Sequence, residues 1–121
     1  MERAEIWEPV TDINEPFGSI SYSYNGESLL VSLHGARSLS IRFAGVVAVR
    51  SELECPGLDA LPHQLPALRP SVTFPLLTVA QSRWLAQFAH IYPGRVHFAL
   101  ISSDSLLQLI ALPQPVCAWE Q

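Results

Sequence analysis

Lysine does not occur in this chain of 121 residues, and its basic side chains are seven arginines. The arginines form no run, and the formal net charge is −4 at pH 7. Because nucleic-acid binding depends on clustered Lys and Arg side chains that contact phosphates, this composition argues against a nucleic-acid partner. Two explanations for the missing lysine stay open: a GC-rich genome that favours arginine codons, and the use of arginine at protein interfaces, where the planar guanidinium binds carboxylates.

Long hydrophobic runs are also missing. No uninterrupted apolar stretch exceeds the four residues of 46–49, whereas a membrane-spanning helix needs about 20 residues. The start of the chain is charged and acidic instead of basic and then apolar, so it lacks the layout of a secretory signal. The sequence therefore predicts a cytoplasmic protein that makes no use of a membrane.

Cysteine is scarce, and the motifs of metal and nucleotide chemistry are absent. Cys55 and Cys117 fit no CxxC or zinc spacing, and we interpret both as reduced, apolar side chains. The four histidines form no HExxH or HxH pair, and neither a dinucleotide-binding loop, a P-loop nor a G-x-S-x-G elbow occurs. The sequence thus predicts no metal ion and no cofactor.

The acidic side chains that are present lie mostly at the start of the chain. In the first 27 residues six acids outnumber the single base Arg3, whereas from Ser28 onward six arginines face five acids. An acidic segment of this kind suits a basic protein partner through long-range attraction. The six acids are Glu2, Glu5, Glu8, Asp12, Glu15 and Glu27.

Alternating apolar and polar residues flank the turn signal Asn25-Gly26. Residues 19–24 alternate serine with Ile or Tyr, and residues 28–34 place leucine or valine at every second position. Such alternation on both sides of an Asn-Gly turn predicts an antiparallel hairpin. Two further strands, which extend the hairpin into a four-strand meander, are predicted at 38–43 and 46–51.

A proline-rich stretch and a helix are predicted next. Five prolines lie between residues 55 and 75, and since proline lacks an amide donor and restricts the residue before it, we predict an ordered loop over the core there. Thr78 to Gln81 has the form of a capping box, and apolar residues recur at helical spacing as far as Ile91. These signals predict a helix that begins near Val79 and packs across the inner face of the sheet.

The C-terminal third predicts a second hairpin. Residues 95–101 and 106–112 are apolar stretches on either side of a Ser-Ser-Asp-Ser turn, and the apolar tail at 116–119 is expected to dock. The whole chain, residues 1–121, is therefore predicted to form a single α+β domain. Its antiparallel sheet of about six strands combines the N-terminal meander with the C-terminal hairpin and carries one main helix on one face.

Glu52 and Glu54 suggest one enzymatic alternative. They stand two residues apart at the end of a predicted strand, so their carboxylates share one face. Paired carboxylates can carry out acid-base chemistry when a histidine joins them, and His34 or His97 would serve. A solvated strand end explains the same pair without any function.

Three segments occur in a recognisable order in the last two thirds of the chain. They are Leu-Ser-Ile-Arg-Phe-Ala-Gly at 39–45 with 49–52 after it, Ser-Arg-Trp-Leu-Ala-Gln-Phe at 82–88, and residues 97–104 leading into 109–113. In this order they are similar to segments of small bacterial proteins that resemble immunity partners of secreted, polymorphic toxins. The resemblance implies a non-enzymatic inhibitor of a toxin, and it carries over no catalytic residue.

We therefore predict a cytoplasmic protein-binding domain, an immunity-type inhibitor that occludes a basic toxin surface. Tyrosine offers a large contact area at little cost in entropy, so we add two tyrosines near the hairpin tip to the acidic segment. The alternative for these tyrosines is that they pack under the proline-rich loop. A self-associating subunit that pairs through an exposed strand edge is a further alternative, and monomer and homodimer both stay open. The candidate partner-binding residues are Glu5, Glu8, Asp12, Glu15, Tyr22 and Tyr24.

Overall fold

Two antiparallel β-sheets make up the protein in the computed structural model, which describes residues 2–11, 13, 17–53, 76–103 and 105–120, without the side chains of Glu52 and Leu53. These ranges contain nine strands and one helix of four residues, α1, which spans Arg83–Ala86. The strands are β1 (Arg3–Ile6), β2 (Ser19–Tyr24), β3 (Ser28–His34), β4 (Leu39–Ala44), β5 (Ala48–Leu53), β6 (Leu76–Ala80), β7 (Val96–Ile101), β8 (Ser105–Ala111) and β9 (Val116–Trp119).

The five-stranded sheet has the order β1-β6-β7-β8-β5, and the four-stranded sheet has the order β2-β3-β4-β9. Apolar residues alternate with polar ones along β3 and β4, so the four-stranded sheet buries one face. Phe43 of β4 and Phe98 of β7 meet between the sheets with ring centroids 5.0 Å apart, and Trp7 contacts both rings. The fold is thus a β-sandwich with its core between the two sheets.

The same contacts show which strands face each other. Phe43 and Phe98 place β4 opposite β7, and β2 contacts β8. Because β5 follows β8 at the edge of its sheet, β5 lies on the same side of the sandwich as β2. The edge strand β1 belongs to the opposite side, with β9.

The outer face of the five-stranded sheet is apolar as well. Leu77, Val79, Ala99 and Leu106 are buried there and form a second cluster, separate from the core between the sheets. Strands buried on both faces have little polar alternation, and all seven residues of β8 are buried.

The predicted α+β architecture with one main helix is wrong. Residues 76–80 form the strand β6, and only Arg83–Ala86 is α-helical, with no buried residue. The side chains of Leu77 and Val79 pack on the outer face, whereas Leu76 joins the main core. Neighbouring side chains on opposite faces are typical of a strand, but the capping-box pattern favoured a helix. Gln81 has a φ of 55°, in the left-handed region, so a helix cannot run through it.

The predicted four-strand meander is also wrong, although its strands exist. β2, β3 and β4 pair in sequence order, but β5 pairs with β8 in the other sheet. Gly45, with a φ of 59°, lies in the short connection where the chain leaves one sheet for the other. The position next to β4 is taken by β9, because the C-terminal tail docks as a strand.

Both predicted hairpins are confirmed. β2 pairs with β3 around the Asn25 turn, and β7 pairs with β8. The predicted proline-rich loop at 55–75 lies outside the described residues, as does Cys55.

Candidate functional site

The edge strand β2 carries the two tyrosines that the sequence singled out. In the register with β3, Tyr22 lies opposite Val31 and Tyr24 lies opposite Leu29. Opposite residues in an antiparallel pair share a face, so both tyrosines lie on the core-facing side of their sheet. Nevertheless they are 46% and 58% exposed. β2 therefore extends past the cover that the other sheet provides, and the face that should be buried is open to solvent.

The edge strand β5, on the same side of the sandwich as β2, also has an exposed apolar residue. Val49 lies opposite Leu109 of β8, a residue of the main core, and yet Val49 is 38% exposed. Ser51, two residues further along β5 on the same face, is exposed as well. We call this side of the sandwich, on which Tyr22, Tyr24 and Val49 are all exposed, the open edge.

Tyr24 is held in place at the open edge. Its hydroxyl donates a hydrogen bond to the Gly26 carbonyl oxygen at 3.1 Å. The Asn25 side-chain oxygen accepts from the backbone N–H groups of Glu27 and Ser28 at 2.9 and 2.8 Å, which fixes the turn beside it. An ordered aromatic ring on a rigid hairpin loses little entropy when a partner binds.

The acidic candidates do not share this surface. Glu5 lies on β1, at the opposite side of the sandwich from β2, and its carboxylate forms an ion pair with Arg3 at 3.1 Å. Glu8 is exposed shortly after β1. Asp12 and Glu15 lie outside the described residues. The structure thus brings Tyr22 and Tyr24 together and separates them from Glu5.

A buried polar cluster lies on the outer face of the five-stranded sheet. The Ser82 hydroxyl is 2.7 Å from His97 Nδ1, and His97 Nε2 is 2.8 Å from Gln108 Oε1. The amide oxygen of Gln108 can only accept, so Nε2 donates and Nδ1 accepts the Ser82 hydroxyl proton. Ser82 Oγ also accepts from the Leu85 N–H at 3.0 Å, which caps the N-terminus of α1.

Aromatic and charged groups close over this cluster. The Trp84 ring meets the His97 ring edge-on at 5.2 Å, and the Arg50 guanidinium lies over the Trp84 ring at 4.3 Å. Glu2 accepts a hydrogen bond from the Arg83 backbone N–H at 2.9 Å. Burial lowers the pKa of His97 below its ordinary value of 6.5, against a smaller opposing effect from its hydrogen bond to Gln108.

The buried cluster is built to hold the fold. Ser82 is 5% exposed, His97 1% and Gln108 0%, so the serine oxygen and the imidazole are shielded from solvent. Every polar atom of Ser82 and His97 has a partner within the cluster, and the Gln108 Nε2 group has no hydrogen-bond partner among the described residues. These groups link the strands β7 and β8 to the segment that carries α1.

The histidines of the enzymatic alternative lie in different sheets. His34 ends β3 in the four-stranded sheet, where its Nε2 atom is 2.8 Å from the exposed Ser21 hydroxyl. His97 lies within the buried cluster of the five-stranded sheet. The Glu52 backbone pairs with Leu106 in β5, but its side chain and all of Glu54 lie outside the described part of the chain.

The described residues contain neither a metal-binding group nor a membrane-spanning helix. No group of three or more His, Cys, Asp or Glu side chains in that part of the chain could hold a metal ion. Within the same ranges, no helix has the length and apolar character needed to cross a membrane.

Burial raises the pKa of the Cys117 thiol to about 12, so the thiol stays protonated at neutral pH.

Comparison with known proteins finds no protein family that matches the chain, no similar curated protein and no similar solved structure.

Sequence reasoning found the tyrosines but missed the two structural relations around them. It placed β5 beside β4, whereas β5 pairs with β8 in the other sheet. It also treated His97 as a separate strand residue, whereas Ser82, His97 and Gln108 meet across three elements. The apolar stretch Val-His-Phe-Ala-Leu-Ile, with His97 as its one polar residue, was the available signal that His97 needs buried partners.

Proposed function

We propose that this chain is a protein-binding domain that inhibits its partner, and that it is of the immunity type, which occludes and neutralises a toxin. Its contact surface is the open edge of the sandwich, centred on Tyr22 and Tyr24. The observation that carries this proposal is the exposure of both rings, 46% and 58%, on the core-facing side of an edge strand.

Two features support a protein partner for this surface. Tyrosine is enriched at binding hot spots, because its ring buries a large area and its hydroxyl still forms hydrogen bonds. An exposed aromatic surface also carries a solubility cost in a free protein, which a partner that covers it removes. The class of partner, a toxin, comes from the resemblance to immunity proteins.

Net charge supports a basic partner. The chain has a formal charge of −4, and Glu5 and Glu8 lie away from the tyrosines, at the β1 side. Charges outside a contact surface act mainly on the rate of encounter, whereas buried aromatic contacts determine how slowly the complex dissociates. The acidic segment is therefore assigned to steering and the tyrosines to holding the partner.

The test compares the capture of partners by three proteins. The wild type, the double variant Tyr22→Thr/Tyr24→Thr and the control Tyr92→Thr are each immobilised and exposed to the secreted proteins and lysate of the source cells. Tyr92 is a matched control because it is 43% exposed and belongs to no strand. Threonine keeps the preference for a strand at positions 22 and 24.

The expected result is one basic protein that the wild type and the Tyr92 variant retain and the double variant loses. Expression of that protein should then arrest the growth of a host cell, and co-expression of the wild type should restore growth while the double variant does not. Retention by all three proteins would place the contact elsewhere. A captured protein with no toxic effect would reject the immunity assignment.

A further inference from the structure

We infer that β2 binds its partner by accepting an extended, basic segment of that partner as an added strand at the open edge. This inference rests on the proposed function and names how the contact is made. Addition of a strand to a free sheet edge uses backbone hydrogen bonds for affinity and alternate side chains for specificity.

The composition of the four edge strands singles out β2. Natural edge strands are protected against pairing by charged residues, proline or short length. β1 contains Arg3 and Glu5, β5 contains Arg50 and Glu52, and β9 has four residues. β2 has six residues, Ser-Ile-Ser-Tyr-Ser-Tyr, with neither a charge nor a proline. Among the described strands, β2 is therefore the edge with the least protection against an added strand.

The hydrogen-bond pattern of the hairpin shows which backbone groups are available. The Asn25 N–H donates to the Ser28 carbonyl oxygen at 3.2 Å, so Asn25 and Ser28 form a hydrogen-bonded pair of the hairpin. Bonding alternates along an antiparallel pair, and Ser23 and Ser21 therefore bond to β3. Tyr24 and Tyr22 direct their N–H and C=O groups away from β3, toward the side of β2 on which no described strand pairs with it.

The two faces of β2 set the pattern of the added segment. Tyr22 and Tyr24 present exposed aromatic rings on the core-facing side of the sheet. The serines of β2 lie on the other face. An added strand would place apolar side chains against the tyrosines and polar ones above the serines, so the segment alternates apolar and polar residues.

Charge selects a basic segment over a second copy of this chain. Between Ser19 and Ser28 the only charged residue is Glu27, which is exposed at the hairpin tip. Two copies that paired through β2 would bring together two molecules of net charge −4, whereas a segment whose polar positions are Lys or Arg is attracted.

The probe is an acetylated and amidated peptide of alternating Lys and Val, about eight residues long to match a typical strand. The control peptide replaces each Lys with Glu. Backbone amide hydrogen exchange of the wild-type protein is followed by NMR with and without each peptide at millimolar concentration, and again at a tenfold higher protein concentration without peptide.

The Lys-Val peptide is expected to slow exchange at the Tyr22 and Tyr24 amides about tenfold or more, since each gains a hydrogen-bond acceptor. The Ser21 and Ser23 amides, which already bond to β3, should change little and serve as internal controls. The Glu-Val peptide should give less than a third of this protection. A variant Tyr22→Pro should lose the effect at Tyr24, whereas Tyr22→Val, which also lacks the ring but keeps the N–H, should retain more of it.

Unchanged exchange at both tyrosine amides with saturating Lys-Val peptide would overturn the added strand. Equal protection by the two peptides would overturn the basic segment, and protection that grows with protein concentration alone would show that the occupant is a second copy. The proposed function is tested separately: it is rejected if the double variant Tyr22→Thr/Tyr24→Thr captures the partner as well as the wild type does. If the double variant loses its partner while the amides stay unprotected, the function stands and the added strand is rejected.

Discussion

At the scale of single residues, Ser82 has two roles that one substitution removes together. Its hydroxyl caps α1 through the Leu85 N–H and donates to His97 Nδ1. Ser82→Ala should lower the free energy of unfolding by about 2–3 kcal/mol, which combines a lost cap with an unpaired buried nitrogen. Urea unfolding measures the loss. Ser23→Ala, on the exposed edge strand, is the control, and its free energy of unfolding should stay within about 0.5 kcal/mol of wild type. An equally small change for Ser82→Ala would show that the cluster does not stabilise the fold.

His97 makes stability depend on pH in a direction that follows from its burial. Burial lowers its pKa in the folded protein below the ordinary 6.5, so between these two values the unfolded chain binds a proton that the folded chain does not. The contribution of neutral His97 to the free energy of unfolding is therefore fully present above about pH 6.5. It falls as the pH drops toward the pKa of the folded protein, with a slope of up to about 1.4 kcal/mol per pH unit.

The measurement is urea unfolding at several pH values between 8 and 5 for wild type, His97→Gln and His90→Gln. His90 is exposed and belongs to no strand, so its variant should keep the pH dependence of the wild type. His97→Gln should be less stable at pH 8 and should lack the slope that the buried imidazole adds. A slope shared by all three proteins would assign the pH dependence to other groups.

At the scale of elements, the connection between β4 and β5 is where the chain changes sheets, and Gly45 makes it possible. Gly45 has a φ of 59°, and a Cβ there would lie 2.6 Å from Leu112 Cγ. Its carbonyl oxygen accepts a hydrogen bond from Arg95 Nε at 3.0 Å. The connection is therefore close-packed against two segments of the C-terminal half.

Gly45→Ala should cost about 2–4 kcal/mol of unfolding free energy, since left-handed backbone strain adds to the contact with Leu112. Gly94→Ala is the matched control, because Gly94 has a φ of 77° with nothing within 4 Å of a Cβ, and it should cost about 1–2 kcal/mol. Chemical denaturation of both variants gives the difference. Equal losses would mean that Leu112 moves aside freely.

The elements also show what could be predicted from the sequence. Alternation beside a turn signal correctly predicted β2 and β3, and apolar stretches on either side of a polar turn correctly predicted β7 and β8, because both patterns are local in sequence. Residues 76–80 were misassigned, since a strand buried on both faces has no polar alternation and Thr78 with Gln81 imitates a cap. The pairing of β5 with β8 joins residues that are 52 to 62 positions apart in sequence, and no local pattern encodes it.

At the scale of the whole molecule, charge and contact surface separate. The acidic candidates Glu5 and Glu8 lie at the β1 side, and the exposed tyrosines lie at the β2 side. The strand and the face on which Tyr22 and Tyr24 lie could be predicted, because serine and tyrosine alternate beside the Asn-Gly turn. The separation of these tyrosines from Glu5 could not be predicted, because the order of strands in two sheets decides which segments become neighbours.

This separation predicts a kinetic effect for the acidic side chains. A variant with Glu5→Gln, Glu8→Gln, Asp12→Asn and Glu15→Gln should associate with a basic partner about 3- to 10-fold more slowly at low salt, with little change in the dissociation rate. Surface plasmon resonance at two salt concentrations measures both rates, and the difference should vanish at high salt. An unchanged association rate at low salt would remove the steering role.

The most direct test of a binding function at the open edge is the dissociation constant of the captured partner for three proteins, measured by isothermal titration calorimetry. Tyr22→Thr/Tyr24→Thr should bind about 30-fold or more weakly than wild type, as expected when hot-spot side chains worth at least about 2 kcal/mol are lost. Tyr92→Thr should bind within about twofold of wild type. Affinity of the double variant equal to that of the wild type would contradict the account.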